Sequence, residues 1–245
     1  ARSMSRFARN LRSNGTNDGV VVPTPITGLV SRRVLVMTFL RGTPIDDVDA
    51  LREQGHDLEE VLRRVVRAWI EAALVHGDFH GDVHAGNLLV TPSGQVAMLD
   101  FGIMGRLDAR TRRVLRSTLP ALVVDRDYER AVEGIFQLGI SAHAPDLAAA
   151  AQDIEALVAP LLDRNLADIS YGDVLAQVVG VAARHQVRLP RELVLVIKQI
   201  VYFERYSKRL APDYPILADP GILLHLLTDD DGDPSRADSG AGPIS

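Results

Sequence analysis

The 245-residue sequence predicts an α+β fold in which short strands occupy the first hundred residues and helices fill most of the remainder. Three observations carry that prediction. Short β-rich runs bounded by Gly and Pro cluster before residue 101. Apolar residues at helical spacing then run from Asp108 almost to the end of the chain. Among the strands lies a polar segment, His80 to Asn87, which a predicted hairpin ties to Asp100.

Taken in order, Ala1 to Arg12 reads as a short basic amphipathic helix, with Met4, Phe7 and Leu11 on one face and Arg2, Arg6, Arg9 and Arg12 between them. Val20 to Pro23 reads as a strand, Thr24 to Ser31 as a connector, and Arg33 to Leu40 as a second strand, broken at Arg41-Gly42-Thr43-Pro44. Leu58, Val61, Leu62, Val65, Val66, Trp69, Ile70, Ala73 and Leu74 follow i, i+3, i+4, i+7 spacing, which predicts a core helix with Trp69 as packing. Asn87 to Val90 and Gln95 to Leu99, around Thr91-Pro92-Ser93-Gly94, predict a hairpin. Helices are expected at Asp108–Val123, Tyr128–Leu138, Pro145–Arg164, Tyr171–Gln186, Pro190–Leu210 and, weakly, Pro220–Leu227. Residues 228–245, rich in Asp, Gly, Ser and Pro, read as a disordered tail.

Composition excludes several function classes. A net charge of −5 argues against a nucleic-acid surface, which needs clustered excess positive charge. Without cysteine there are no disulfides or thiolate metal sites, which suits a cytoplasmic setting. No apolar run reaches the ~18 residues of a membrane span. Of the 27 basic residues only Lys198 and Lys208 are lysines.

The chemistry lies in His80-Gly81-Asp82-Val83-His84-Ala85-Gly86-Asn87 and Asp100-Phe101-Gly102. Their order and spacing fit the H-R-D-x-x-x-x-N loop and D-F-G of kinase-type sites. There an aspartate orients or deprotonates the acceptor, and divalent metal holds the transferred phosphoryl group. A hairpin brings its ends together, so Asn87 and Asp100 are placed to share one Mg²⁺, to which an amide oxygen and a carboxylate are suited. A rival reading takes His76, Asp78, His80, Asp82 and His84, alternating on one strand face, as a zinc or di-metal hydrolase site. For His76 and Asp78 the plain alternative is loop-capping or solvated polar residues. For His80 and His84 it is hydrogen bonds that brace the loop. Arg106 is a secondary candidate, read either as phosphate-facing or as a cap or ion pair with an acid such as Asp108.

These motifs, with Gly105-Arg106-Leu107, Arg126-Asp127-Tyr128, Leu138-Gly139 and Leu189-Pro190-Arg191-Glu192 leading to Leu210-Ala211-Pro212-Asp213, resemble the UbiB-type, AarF-domain (ABC1-like) family of atypical kinases over residues 1–217. The resemblance implies a protein-kinase-like fold: residues 1–40 as the end of a truncated N-lobe, and 41–227 as a mostly helical C-lobe. It implies Asp82 as the catalytic aspartate, Asn87 and Asp100 as metal ligands, and backbone groups of Thr38 and Leu40 facing adenine at the hinge. ATP and Mg²⁺ are the cofactors implied. A small-molecule or lipid-linked substrate, a link to ubiquinone or other isoprenoid-lipid metabolism, and peripheral membrane association follow from the same resemblance.

The sequence departs from the family at Val83 and Ala85, where Pro is usual, and at Thr38, where an acid is usual. It also has no lysine before Lys198 to grip the α/β-phosphates, so that lysine is expected upstream of Ala1, and the 245 residues alone are expected to bind and turn over ATP poorly. Helix signals resume about six residues after Gly102, which leaves no room for a peptide-docking segment. A small-molecule phosphotransferase of the aminoglycoside- or choline-kinase kind, and a non-catalytic nucleotide- or lipid-binding scaffold, are the alternatives.

Overall fold

In a computed structural model, residues 1–13, 19–141, 146–162, 170–188 and 190–214 are described. The expected helix Pro220–Leu227 and the tail 228–245 lie outside them.

Helix α1 (Arg2–Ser13) buries Met4, Phe7 and Leu11, the apolar face its spacing predicts. β1 (Val20–Val21) follows, and then a departure from expectation: Thr24 to Ser31 is no connector but contains a strand, β2 (Pro25–Val30), paired antiparallel with β3 (Leu35–Met37). Pro25 and Gly28 hide the strand signal. The pairing tolerates them through an irregular register, with Gly28 at φ 88°, a backbone conformation open to glycine. Ser31 turns the hairpin, its hydroxyl accepting from Val34 N at 3.1 Å. The expected strand Arg33–Leu40 shortens to Leu35–Met37 because only that stretch faces β2.

The chain then passes Thr38 to Gly42 into β4 (Thr43–Pro44) and α2 (Val48–Glu53), capped by Asp47. α3 (Leu58–Glu71) is the predicted core helix. Asp57 caps it by accepting from Glu59 N and Glu60 N, and its apolar stripe is buried as far as a π-helical turn, Ala72–His76. That turn ends on Gly77 in the left-handed conformation and delivers β5 (Asp78–His80).

β6 (Leu88–Val90) and β7 (Val96–Met98) form the predicted hairpin. They sit inside a four-stranded sheet of order β1-β7-β6-β4, in which only the β1–β7 pairing is parallel. β8 (Met104–Arg106) pairs antiparallel with β5, Phe79 opposite Gly105. A Cβ at Gly105 would fall 2.0 Å from the Phe79 ring, so the close approach of the two strands requires glycine there.

Helices α4 (Ala109–Pro120), α5 (Tyr128–Leu138), α6 (Leu147–Leu162), α7 (Tyr171–Arg184) and α8 (Arg191–Leu210) make up most of the rest of the described chain, with a short antiparallel pair of Ile140–Ser141 and Val187–Arg188 between them. A π-helical turn, Ala121–Asp125, extends α4. α8 returns to the first half of the chain: Phe203, Tyr206 and Leu210 join the core built on α3, while α5, α6 and α7 enclose a smaller one around Val132, Ile154 and Val181.

Candidate functional site

Asp82 and Asn87 lie on the loop between β5 and β6, and Asp100 follows β7. The loop is folded back on itself by short bonds. Asn87 Nδ2 donates to Asp82 O at 3.0 Å, and His84 Nδ1 accepts from Gly86 N at 3.1 Å at the start of a 3₁₀ turn, Ala85–Asn87. Leu99 N donates to Asn87 O at 2.8 Å, so the hairpin brings the residue before Asp100 against Asn87, as the spacing predicts. With its amide nitrogen spent on the loop, Asn87 has its side-chain oxygen left for other use. Asp100 is exposed, at φ 49° in the left-handed region, and its Oδ1 accepts from Gly102 N at 3.1 Å. An amide oxygen and a carboxylate at the open end of a hairpin are a hard-oxygen donor set that fits Mg²⁺.

His80 braces the loop from beneath. Asp82 N donates to its Nδ1 at 3.1 Å, so the proton belongs on Nε2, which faces Leu99 O at 2.8 Å. Burial lowers its pKa below the ordinary value near 6.5; the Leu99 carbonyl and the charges of Asp82 and Asp100 oppose that shift and are outweighed. His80 is therefore harder to protonate in the fold than in the unfolded chain. Because an unfolded chain binds the proton more readily, stability is fully present above about pH 6.5 and declines as the pH falls below it. His80→Gln, whose amide retains both a donor and an acceptor, is expected to lose less melting temperature than wild type between pH 7.5 and 5. Parallel losses in the two proteins would refute this.

The alternating His/Asp reading does not survive folding. Only Asp78 to His80 are strand, so the five side chains do not share a face, and among the described residues no group of three or more His, Asp or Glu is placed to hold a metal. His76 lies 3.5 Å from the fully buried Glu71. Asp78 is neither solvated nor a loop cap: it is buried against Arg6 at 3.0 Å, which ties α1 to β5. Arg106 reaches toward Asp78 at 3.8 Å rather than toward Asp108, which caps α4 through Thr111 N. Trp69 packs edge-on against Phe79 and Phe203, as expected of a core residue, and also donates from Nε1 to His80 O at 2.9 Å.

Thr38 and Leu40 line a cleft of about 570 Å³ with Pro23, Phe39, Leu89 and Leu99. Thr38 N donates to Thr24 O at 2.9 Å. The cleft reaches Leu99, so it adjoins the metal-suited end of the hairpin.

The residues that sequence reasoning missed all lie on α8. Gln199 is fully buried; its Nε2 donates to Gly81 O and its Oε1 accepts from Val83 N, both at 2.8 Å, so one side chain clamps the backbone on either side of Asp82. Tyr206 OH donates to Val83 O at 2.8 Å, and burial raises its own pKa. Lys198 Nζ lies 2.9 Å from Asp82 Oδ1, while His84 Nε2 stands 3.6 Å from the other oxygen. Two signals could have found them: a glutamine on the apolar face of α8, one turn from Phe203, and a rare lysine in a chain whose basic residues are almost all arginine.

Comparison with known proteins bears on this geometry. A family description, "ABC1 atypical kinase-like domain", matches residues 1–135, and a second, "UbiB helical domain", matches residues 154–214. An uncharacterized protein of Mycobacterium tuberculosis is 39% identical over 222 residues, covering 91% of this chain and 46% of its own. An uncharacterized chloroplastic aarF domain-containing protein kinase of Arabidopsis thaliana is 29% identical, with the same coverage of each. The probable protein kinase UbiB of Shewanella woodyi is 30% identical over 84% of this chain and 38% of its own. The chain thus spans less than half the length of these relatives. In fold it is similar to the Rv3197–erythromycin complex from Mycobacterium tuberculosis, with a TM-score of 0.53 at 16% identity over 89% of this chain and 57% of the other. The match of the ABC1 atypical kinase-like description across more than half of its residues, over an H-x-D…N loop tied to D-F-G, makes this chain a member of the ABC1 atypical kinase-like family.

Proposed function

We propose that the chain carries the metal-binding and acceptor-orienting half of a phosphoryl-transfer site that uses Mg²⁺ and ATP. The observation that carries this reading is the bonding of Asn87 to the Asp82 carbonyl on one side and to Leu99 on the other, which draws Asp82, Asn87 and Asp100 to one place. Asn87 and Asp100 would hold Mg²⁺, whose contribution is to neutralise charge on the phosphates. Asp82 would orient the acceptor and take its proton. The Thr38 carbonyl and the Leu40 amide would meet the edge of adenine in the 570 Å³ cleft, where only main-chain atoms are needed.

The acceptor is a small or lipid-linked molecule in this reading. β8 and α4 begin directly after Gly102, with Asp108 as the helix cap, so no extended segment stands ready to dock a peptide. A ubiquinone or other isoprenoid-lipid role rests on family membership alone. Among the described residues no helix is long and apolar enough to cross a membrane. A purely lipid-binding role finds less support: the apolar cavity among α5, α6 and α7 offers about 40 Å³, against the ~300 Å³ or more of a typical ligand site.

The test is thermal melting of the full gene product with ATP, with and without Mg²⁺. ATP is expected to raise the melting temperature only when Mg²⁺ is present. Equal shifts with and without the metal, or no shift at all, would refute the reading.

A further inference from the structure

Helix α8 places a cation where the sequence offered none. Lys198 lies 116 residues from Asp82 in sequence, yet its ammonium donates to Asp82 Oδ1 at 2.9 Å. Its position is not that of a loosely held surface side chain. The next residue, Gln199, is bonded to Gly81 O and Val83 N, so consecutive residues of α8 grip three consecutive residues of the loop. One turn further along, the Tyr202 ring lies 5.5 Å from the ammonium and flanks it. Asp82 holds the lysine in its charged form by raising its pKa.

We propose that Lys198 is the phosphate-facing cation on the acceptor side of the site, supplied by the carboxy-terminal helices rather than by the strands above the cleft. The assignment rests on the phosphoryl-transfer reading given above. In that reaction the acceptor O–H gives its proton to the Asp82 carboxylate, and the acceptor oxygen forms a bond to the γ-phosphorus. The bond from that phosphorus to the β,γ-bridging oxygen breaks, and its electron pair leaves with ADP. Asp82 is an anion that must stand close to a more negative phosphoryl group, and an ammonium shared between them offsets that repulsion. An ammonium has three donors. One is committed to Asp82, and a side chain 42% exposed leaves room for a ligand oxygen to meet another. The UbiB-type helical segment is on this account part of the active site and no mere appendage.

The experiment compares Mg-ATP turnover by the full gene product in wild type, Lys198→Met and Lys198→Arg, with Asp100→Asn as the control for the underlying reading. Lys198→Met is expected to lower kcat by about 10- to 100-fold while KM for ATP changes less than about threefold, because the interaction matters chiefly in the transition state. Its melting temperature should stay within about 2 °C of wild type, as expected for a partly exposed ion pair. Lys198→Arg should recover part of kcat, since charge is kept and reach is altered. A purely structural lysine would not give this split with rescue by arginine. Turnover by Lys198→Met equal to wild type would overturn the assignment. Faster turnover would overturn it too, and would mark the lysine as a tether that restrains Asp82. If wild type itself neither binds nor turns over Mg-ATP, the phosphoryl-transfer reading falls and takes this assignment with it. Loss in Asp100→Asn alongside full activity in Lys198→Met would sink the lysine alone.

Discussion

Asp100→Asn is expected to reduce Mg-ATP turnover by the full gene product about a thousandfold or more, the loss of several kcal/mol of charge stabilisation, while its melting temperature barely moves. Asparagine is the informative replacement because of the backbone. Asp100 sits at φ 49° and accepts from Gly102 N, and asparagine both tolerates the left-handed region and keeps that side-chain oxygen. The substitution therefore removes a negative charge and one metal ligand, and little else. Alanine would confuse the result, since its methyl group is strained at that φ and the Gly102 amide would lose its partner. Turnover kinetics and a melting curve on the same preparation check the prediction. Activity within tenfold of wild type would remove Asp100 from the proposed metal site.

Gln199→Leu should have the largest effect on stability. The side chain is fully buried and satisfies one carbonyl and one N–H of the loop at 2.8 Å each. Leucine fills nearly the same volume but satisfies neither. A buried polar group left unpaired costs about 1–3 kcal/mol, so the two together predict a loss of about 2–6 kcal/mol. That is a large part of the stability of an ordinary domain. Turnover should fall as well, because Gly81 and Val83 flank Asp82 and set where its carboxylate points. Chemical denaturation of the variant is the check, and a loss below about 1 kcal/mol would show that the clamp contributes little to holding the loop.

Much of this architecture is legible in the amino-acid sequence. The α3 stripe from Leu58 to Trp69, the β6–β7 hairpin and the described helices from Asp108 to Leu210 follow periodicities that a chain imposes locally, and their positions agree with expectation to within a few residues. Where expectation failed, the deciding contact lay elsewhere in the chain. β2 forms across Pro25 and Gly28 because β3 supplies its hydrogen bonds. Asp78, read as a solvated loop residue, is buried because Arg6 of α1 comes to meet it. His76 to His84 lose their common face because the strand ends at His80.

By itself, then, the sequence determined the family, through motifs spread along the chain, and the kinase-like spacing of Asp82, Asn87 and Asp100 with the hairpin that joins them, since that spacing and that hairpin are set by neighbours within about twenty residues. The tertiary structure alone decided what surrounds Asp82. Lys198, Gln199 and Tyr206 share the side of α8 that packs onto the core beside the loop, and helical spacing puts them there together. Which loop that side would meet depends on how α8 packs against Trp69 of α3 through Phe203. A contact spanning 116 residues leaves no periodic trace in the chain, because it arises from the packing of preformed elements and not from the local conformation of either partner.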